Sequence, residues 1–243
     1  MSIASRIVQL HDDYLVLNKL PGESVEISPR SGIVDLPRAL RQELGDPVPP
    51  AAPHRLDVPV SGCVLFARNP RTLAFFGGRF RNPGQVEKIY WGIVEPPRKT
   101  ENAGAFVQPG VLIPPEDSAQ GELVHWLAAG RGNRSLVYDE DGPGRKKSVL
   151  RYRVLGRGAR YLFLEIRLIT GRHHQIRAQL SHIGLPVKGD LKYGARRSEK
   201  GGGIRLHCHS LAFPGPAGET VRVEAPPPEI DNLWRAFLDA ARQ

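Results

Sequence analysis

Two stretches of strict alternation limit the folds open to this chain. In "SVLRYRVL", Leu150, Tyr152 and Val154 face one way and Arg151 and Arg153 the other. In "RYLFLEIRLI", Leu162, Leu164, Ile166 and Leu168 share a face, with Glu165 and Arg167 opposite. A period of two belongs to a strand, and the short turn "GRGA" joins the runs as an antiparallel pair with one covered face. Such a pair needs further strands beside it. "RIVQLHDDYLVLNKLPG" supplies a hairpin stopped by Pro21 and Gly22. "CVLFAR" (63–68) and "EKIYWGIVE" (87–95) read as short buried strands, and "IRLHCHSLAF" and "TVRVEA" as strand-like pieces near the end.

Helices are few. "DLPRALRQEL" has leucines at helical spacing and a cap at Asp35, and "RTLAFFGGRF" predicts a helix weakened by Gly77 and Gly78. "TGRHHQIRAQLSHIG" predicts a helix capped by Thr170, with Ile176, Leu180 and Ile183 on one face and Gly184 closing it. "PPPEIDNLWRAFLDAARQ" ends the chain as an amphipathic helix. Between 96 and 147 Gly and Pro are dense, so this segment reads as excursions and hairpins outside the core. The expected class is α+β, with a long, mainly antiparallel sheet in a single domain over 1–243.

Charge narrows the function. Lys and Arg number 34 against 25 Asp and Glu, a net of +9, which favours a polyanionic partner; nucleic acid is the commonest, and a merely basic enzyme is the plainer reading. No run of about 18 apolar residues exists to form a membrane-spanning helix. The N-terminus lacks the apolar core of a signal peptide. The two cysteines, Cys63 and Cys208, cannot build a disulfide framework and are expected as reduced, buried thiols in a cytoplasmic protein.

Four segments carry chemistry. In "HRLDVPVSG", Leu56 anchors inward while Asp57 starts a turn shaped by Pro59 and Gly62; the carboxylate is either backbone-positioned for chemistry or only a cap for its own loop. In "EKIYWGIVE", alternation puts Lys88, Tyr90 and Gly92 on one face, leaving space beside a tyrosine that either stacks on a base or fills the core. In "TGRHHQIRAQLSHIG", His173 and Arg177 share a helix face, and a half-buried Arg177 wants a carboxylate, for which Asp57 is a candidate. A zinc reading of the paired histidines with His182 or with "HCH" (207–209) is set aside, since adjacent histidines diverge on a helix and no zinc spacing completes the set. In "PVKGDLKYGARR", Lys188, Lys192, Arg196 and Arg197 surround Tyr193, a pattern suited to RNA phosphates or to a solvated loop.

In this order the segments resemble the pseudouridine synthases of the RluA family. "HRLDVPVSG" resembles the HRLD-x-x-[TS]-SG element, "KIYWGIVE" the K-x-Y-x-A-x-V strand, and "TGRHHQIRAQLSHIGLPVKGDLKYG" the TGR-x-HQIR element and its GD-x-x-YG continuation. "LHCHSLAFPGPAGETVRVEAPPP" resembles the closing LHA-x-x-L-x-F segment and "VLNKLPG" the early NKP-x-G element. Val60, Gly92, Gln179 and Leu20 depart from the pattern, replacing a hydroxyl, an alanine, a histidine and a proline. The resemblance implies a mixed, mainly antiparallel sheet, bent into two halves with flanking helices and a central active cleft. It implies that uridine in structured rRNA or tRNA is detached at C1′, turned and rejoined through C5. It assigns Asp57, Tyr90 and Arg177 to catalysis. RNA contacts are expected at His54, Arg55, Arg172, His174, Lys188, Lys192, Arg196 and Arg197. No metal, cofactor, membrane or obligate protein partner is expected, nor an accessory RNA-binding domain in front; a monomer is the default. An inactive RNA-binding chaperone of the same fold is the alternative.

Overall fold

The computed structural model describes residues 2–28, 32–96 and 120–242. In chain order the elements are β1 (Ile7–Leu10), β2 (Tyr14–Lys19), β3 (Glu23–Ser24), β4 (Val34–Asp35), α1 (Leu36–Leu44), β5 (Ser61–Ala67), α2 (Pro70–Arg81) and β6 (Glu87–Val94). There follow β7 (Gln120–Gly130), β8 (Arg134–Tyr138), β9 (Lys146–Arg157), β10 (Leu162–Leu168), α3 (Gln175–His182), β11 (Leu206–Pro214), β12 (Thr220–Glu224) and α4 (Asn232–Ala241). The chain groups into two compact units. One comprises Met1–Tyr90, Lys200–Gly203 and His207–Glu229, the other Trp91–Glu199, Ile204–Leu206 and Ile230–Gln243. The class is α+β, with mixed but mainly antiparallel strand pairing.

In the first unit β1 pairs with β2 and β2 with β5, both antiparallel, the latter from Tyr14 opposite Ala67 to Lys19 opposite Gly62. β5 then runs parallel to β11, with Ser61 opposite His207 and Gly62 opposite Cys208, and β12 lies antiparallel beside β11. Every residue of β5 is buried, which is why "CVLFA" is a continuous apolar run rather than an alternating one. Tyr14, Phe76 of α2 and Phe213 of β11 meet edge to face, with centroids 5.4 to 5.7 Å apart. The expected cap holds α1, Asp35 accepting from the Arg38 amide, and α2 is capped by Asn69, which accepts from the amide of Thr72. Cys63 and Cys208 are unpaired and buried.

In the second unit β10, β9, β7 and β8 pair antiparallel in that order. The alternation holds: Leu150, Tyr152, Val154, Leu162, Leu164, Ile166 and Leu168 are all buried. Trp234 and Phe237 of α4 pack with Ile93 and Phe163, and Ala178 of α3 packs with Leu127 and Tyr193.

Two expectations are corrected. The segment from 96 to 147 contains a hairpin, β7 with β8, as expected, but that hairpin is not outside the core. From Gln120 it forms regular strands whose Leu123, His125 and Leu127 are buried, while Gly121, Ala128, Ala129 and Gly130 dilute the pattern. Residues 97–119 lie outside the described residues. Thr170 does not cap α3. The helix begins five residues later, and Thr170 Oγ1 donates instead to Gln175 Oε1 at 2.8 Å. The cap position belongs to His174, in the left-handed region at φ 50°, while Gly184 closes the helix as expected at φ 78°.

Gly62 fixes the approach of β5 to β11. Its φ is +117°, and a Cβ there would lie 2.3 Å from the carbonyl oxygen of Cys208. Gly78, inside α2, has nothing within 4 Å of such a Cβ. In denaturant unfolding Gly62→Ala is expected to lose more than about 3 kcal/mol or fail to fold, whereas Gly78→Ala gains about 0.5–1 kcal/mol.

Candidate active site

The turn that presents Asp57 is gripped by backbone and by one buried lysine. Val60 N–H donates to Asp57 O at 3.0 Å, closing the turn, and Gly22 N–H donates to Val58 O at 2.8 Å. Lys19 Nζ, at the end of β2, donates to Leu20 O, Val58 O and Val60 O at 2.8, 3.1 and 2.7 Å. Three acceptors use all three ammonium hydrogens. Lys19 is fully buried, and burial pushes its pKa down to about 7 against the support of Glu23 and Asp57. Glu23 is anchored by Arg6 at 2.8 and 2.9 Å and accepts from Leu20 N–H. On the far side of the turn, Ser61 Oγ lies 2.9 Å from His207 Nδ1 while His207 Nε2 lies 2.9 Å from Ala225 O. Burial holds His207 neutral, its pKa lowered to about 4, so Nε2 carries the proton to Ala225 and Nδ1 accepts from Ser61.

Leu56 is buried, as expected of the residue that anchors the segment, and Asp57 is partly buried. Arg55 is exposed. His54 is built into the fold: its ring stacks on Phe80 at 4.2 Å, its Nε2 accepts from Leu65 N–H at 3.0 Å, and burial lowers its pKa to about 3. Tyr90 is buried together with Lys88 and Gly92 on its face of β6. Burial first, then Cys208 and Asp57, raise the Tyr90 pKa well above that of a free phenol, so the group stays a phenol at neutral pH. The expected open space on this face is filled at Gly92, where a Cβ would meet Ile166 Cδ1 at 3.1 Å.

The second unit holds the TGR-HQIR residues. Arg177 is buried, not half-buried, and its Nε and Nη2 donate to Asp190 Oδ2 and Oδ1 at 2.6 and 2.9 Å. One carboxylate partner thus comes from the same motif, 13 residues on. Its guanidinium also lies over the Tyr193 ring, 5.0 Å from the centroid. The Tyr193 hydroxyl accepts from Ser135 N–H at 2.8 Å and lies 3.0 Å from His174 Nδ1. His173 precedes the helix and shares no helix face with Arg177; because His174 is left-handed, the two imidazoles stack at 3.8 Å instead of diverging. Arg172 is exposed, its Nε donating to Lys147 O at 3.2 Å.

The basic cluster is more committed to the protein than its sequence suggests. Lys188 pairs with Glu199, which also binds Arg205, and Arg205 reaches Asp231 at the start of α4. Lys192 Nζ donates to Gly132 O and Asn133 O, and Arg196 Nη2 to Pro96 O. Arg197 is exposed. Sequence reasoning passed over Lys19; the signal was a lone lysine ending an apolar strand just before "LPG". It also passed over a group that converges as metal ligands do, His125, Asp139 and His182.

The chain has the fold of pseudouridylate synthase domains. It superimposes on the human RNA pseudouridylate synthase domain-containing protein 4 with a TM-score of 0.69 at 20% identity, covering 99% of this chain and 94% of that one. The sequence profile of the RNA pseudouridylate synthase family matches residues 13–182. An uncharacterized RNA pseudouridine synthase of Zymomonas mobilis is 30% identical over 240 residues, 98% of this chain and 97% of that protein. The ribosomal large subunit pseudouridine synthase C of Escherichia coli is 30% identical over 236 residues, 93% of this chain and 67% of that protein. The chain belongs to the RluA-type RNA pseudouridine synthases and is an isomerase that acts on RNA. No helix among the described residues is long and apolar enough to cross a membrane.

The Lys19 clamp carries a pH signature. Its folded pKa of about 7 lies below its ordinary value of 10.5, so the unfolded chain holds this proton more tightly and stability gains as pH rises between the two. Relative to Lys19→Met, the wild-type chain should gain about 1 kcal/mol of unfolding free energy per pH unit between about pH 7 and about pH 9. A flat difference would mean that Lys19 titrates as an exposed lysine does.

Proposed function

We propose that this enzyme isomerises specific uridines in structured ribosomal or transfer RNA, with Asp57 as the charged group that acts at the ribose. One observation carries the reading. Asp57 sits on a turn whose two flanking carbonyls, Val58 O and Val60 O, are pinned by the same buried ammonium, and its charge is felt at Tyr90. A carboxylate aimed by backbone needs no further ordering when it meets substrate. As nucleophile at C1′ or base toward the ribose, it lets the C1′–N1 bond break with its electron pair leaving on N1; the base turns, C5 bonds to C1′ as Asp57 returns to the free carboxylate, and the C5 proton is released to solvent. Tyr90 packs against the turning base as a phenol. Arg177 is assigned as the guanidinium of the site from its motif.

The uridine must leave its stack first, at a cost of a few kcal/mol that is least in loops. Arg55, Arg172 and Arg197, all exposed, are the first phosphate contacts, with Lys192 and Arg196 beside them. His54 and His174 act by holding the segments that carry Arg55 and Arg177, and Lys188, paired with Glu199, is assigned to RNA from its place in the basic cluster. The isomerisation moves no electrons out of the substrate, so no redox cofactor is assigned. A cytoplasmic monomer is the working state. An RNA chaperone of the same fold would use the basic surface and have no need of Asp57. Asp57→Asn should therefore abolish tritium release from C5-labelled uridine in RNA while leaving RNA affinity within about threefold, a change of less than about 1 kcal/mol. Turnover surviving in that variant would overturn the assignment. Mapping pseudouridines in total RNA with and without the protein names the target.

A further inference from the structure

We propose that His125, Asp139 and His182 form a binding site for one divalent transition-metal ion of the zinc class, separate from the uridine chemistry. The three come from different elements of the second unit: His125 from the middle of β7, Asp139 from just past β8, and His182 from the last position of α3. His182 Nε2 lies 2.9 Å and His125 Nε2 3.7 Å from the same oxygen, Asp139 Oδ1. All three ligand atoms fall within 4.8 Å of one another. Two imidazoles and a carboxylate are the donors zinc takes, and a tetrahedral ion with bonds of about 2.1 Å spaces its ligands about 3.4 Å apart. The cluster reaches that spacing by small rotations of His182 and Asp139. Their side chains are 29% and 75% exposed, while that of His125, at 9%, is fixed. The exposed carboxylate also provides the way in, and water fills the fourth position.

Gln179 fixes the His125 ring. It is fully buried on the helix face toward His125 and stands where the family pattern has a histidine. Its amide Nε2 faces three acceptors, His125 Nδ1 at 3.0 Å, Leu123 O at 3.3 Å and Ser148 O at 3.2 Å, with two hydrogens to give. Its Oε1 is buried with no partner among the described residues. The ion would staple the last turn of α3, the helix that carries Arg177, to β7 and β8.

The test is a titration of the chelator-treated full chain with Co²⁺, followed by its visible absorption. The expected result is one equivalent bound with the intense bands of a four-coordinate ion, displaced by one equivalent of Zn²⁺. Affinity should fall at least tenfold in Asp139→Asn and vanish in His182→Ala, with tritium release from RNA unchanged in both. Zn²⁺ should raise the Tm of the wild-type chain and not that of His182→Ala. Asp139→Asn changes an exposed side chain and so guards against misfolding, and His11→Ala, at an exposed histidine remote in sequence, should bind as wild type. Absence of saturable cobalt binding, or binding that survives both site variants, overturns the proposal.

Discussion

A single ammonium between three carbonyl oxygens underlies the arrangement around Asp57. Lys19 is fully buried, which is costly for a charged group unless every hydrogen finds an acceptor. It finds three, and two of them flank Asp57. The burden of dehydrating the lysine is thereby converted into a rigid turn, because the ammonium has no equally good alternative. Arg6 and Glu23 extend the same logic outward: Glu23 supports the lysine electrostatically and is itself held by two guanidinium contacts. The Ser61–His207–Ala225 relay does the same on the other side of the turn with neutral groups.

Formal charge overstates what this chain offers to a polyanion. Arg6 and Arg177 are buried in ion pairs, Lys19 is buried among carbonyl oxygens, and Lys188 and Arg205 share Glu199. Basic residues at such positions organise the protein. The exposed arginines, such as Arg55, Arg172 and Arg197, are the ones whose charge reaches outward. Salt sensitivity of RNA binding should thus follow a few arginines, since each phosphate contact contributes its own increment to the salt slope.

Much of this was legible in the sequence, and the failures have physical causes. Strands buried on one face announce themselves by alternation, so β9 and β10 were plain. Those buried on both faces, such as β5, show as short apolar runs, and the cap of α1 follows from Asp35. β7 was missed because Gly121, Gly130 and two alanines thin its pattern and its buried face includes His125. The start of α3 was misplaced because Thr170 has the chemistry of a cap and uses it on a side chain instead. A positive φ at His174 has no reliable sequence signature, and it turns two neighbouring imidazoles into a stack. Asp190, from the same motif, is a partner of Arg177 that one-dimensional spacing does not disclose. His125 and His182 lie far apart along the chain and meet only through the packing of α3 on β7.

The parallel contact of β5 with β11 sets an order of assembly. The first unit takes its opening ninety residues and then waits for His207–Glu229 before Gly62 can settle against Cys208 and Ser61 can meet His207. On the ribosome, the segment bearing Asp57 emerges long before the strand that completes its surroundings. Its contacts close a very long loop, which is slow, and the unfinished edge of β5 stays open meanwhile. A nascent chain arrested before residue 206 should therefore hold an unfinished first unit, and the catalytic turn would be among the last parts of the enzyme to take shape.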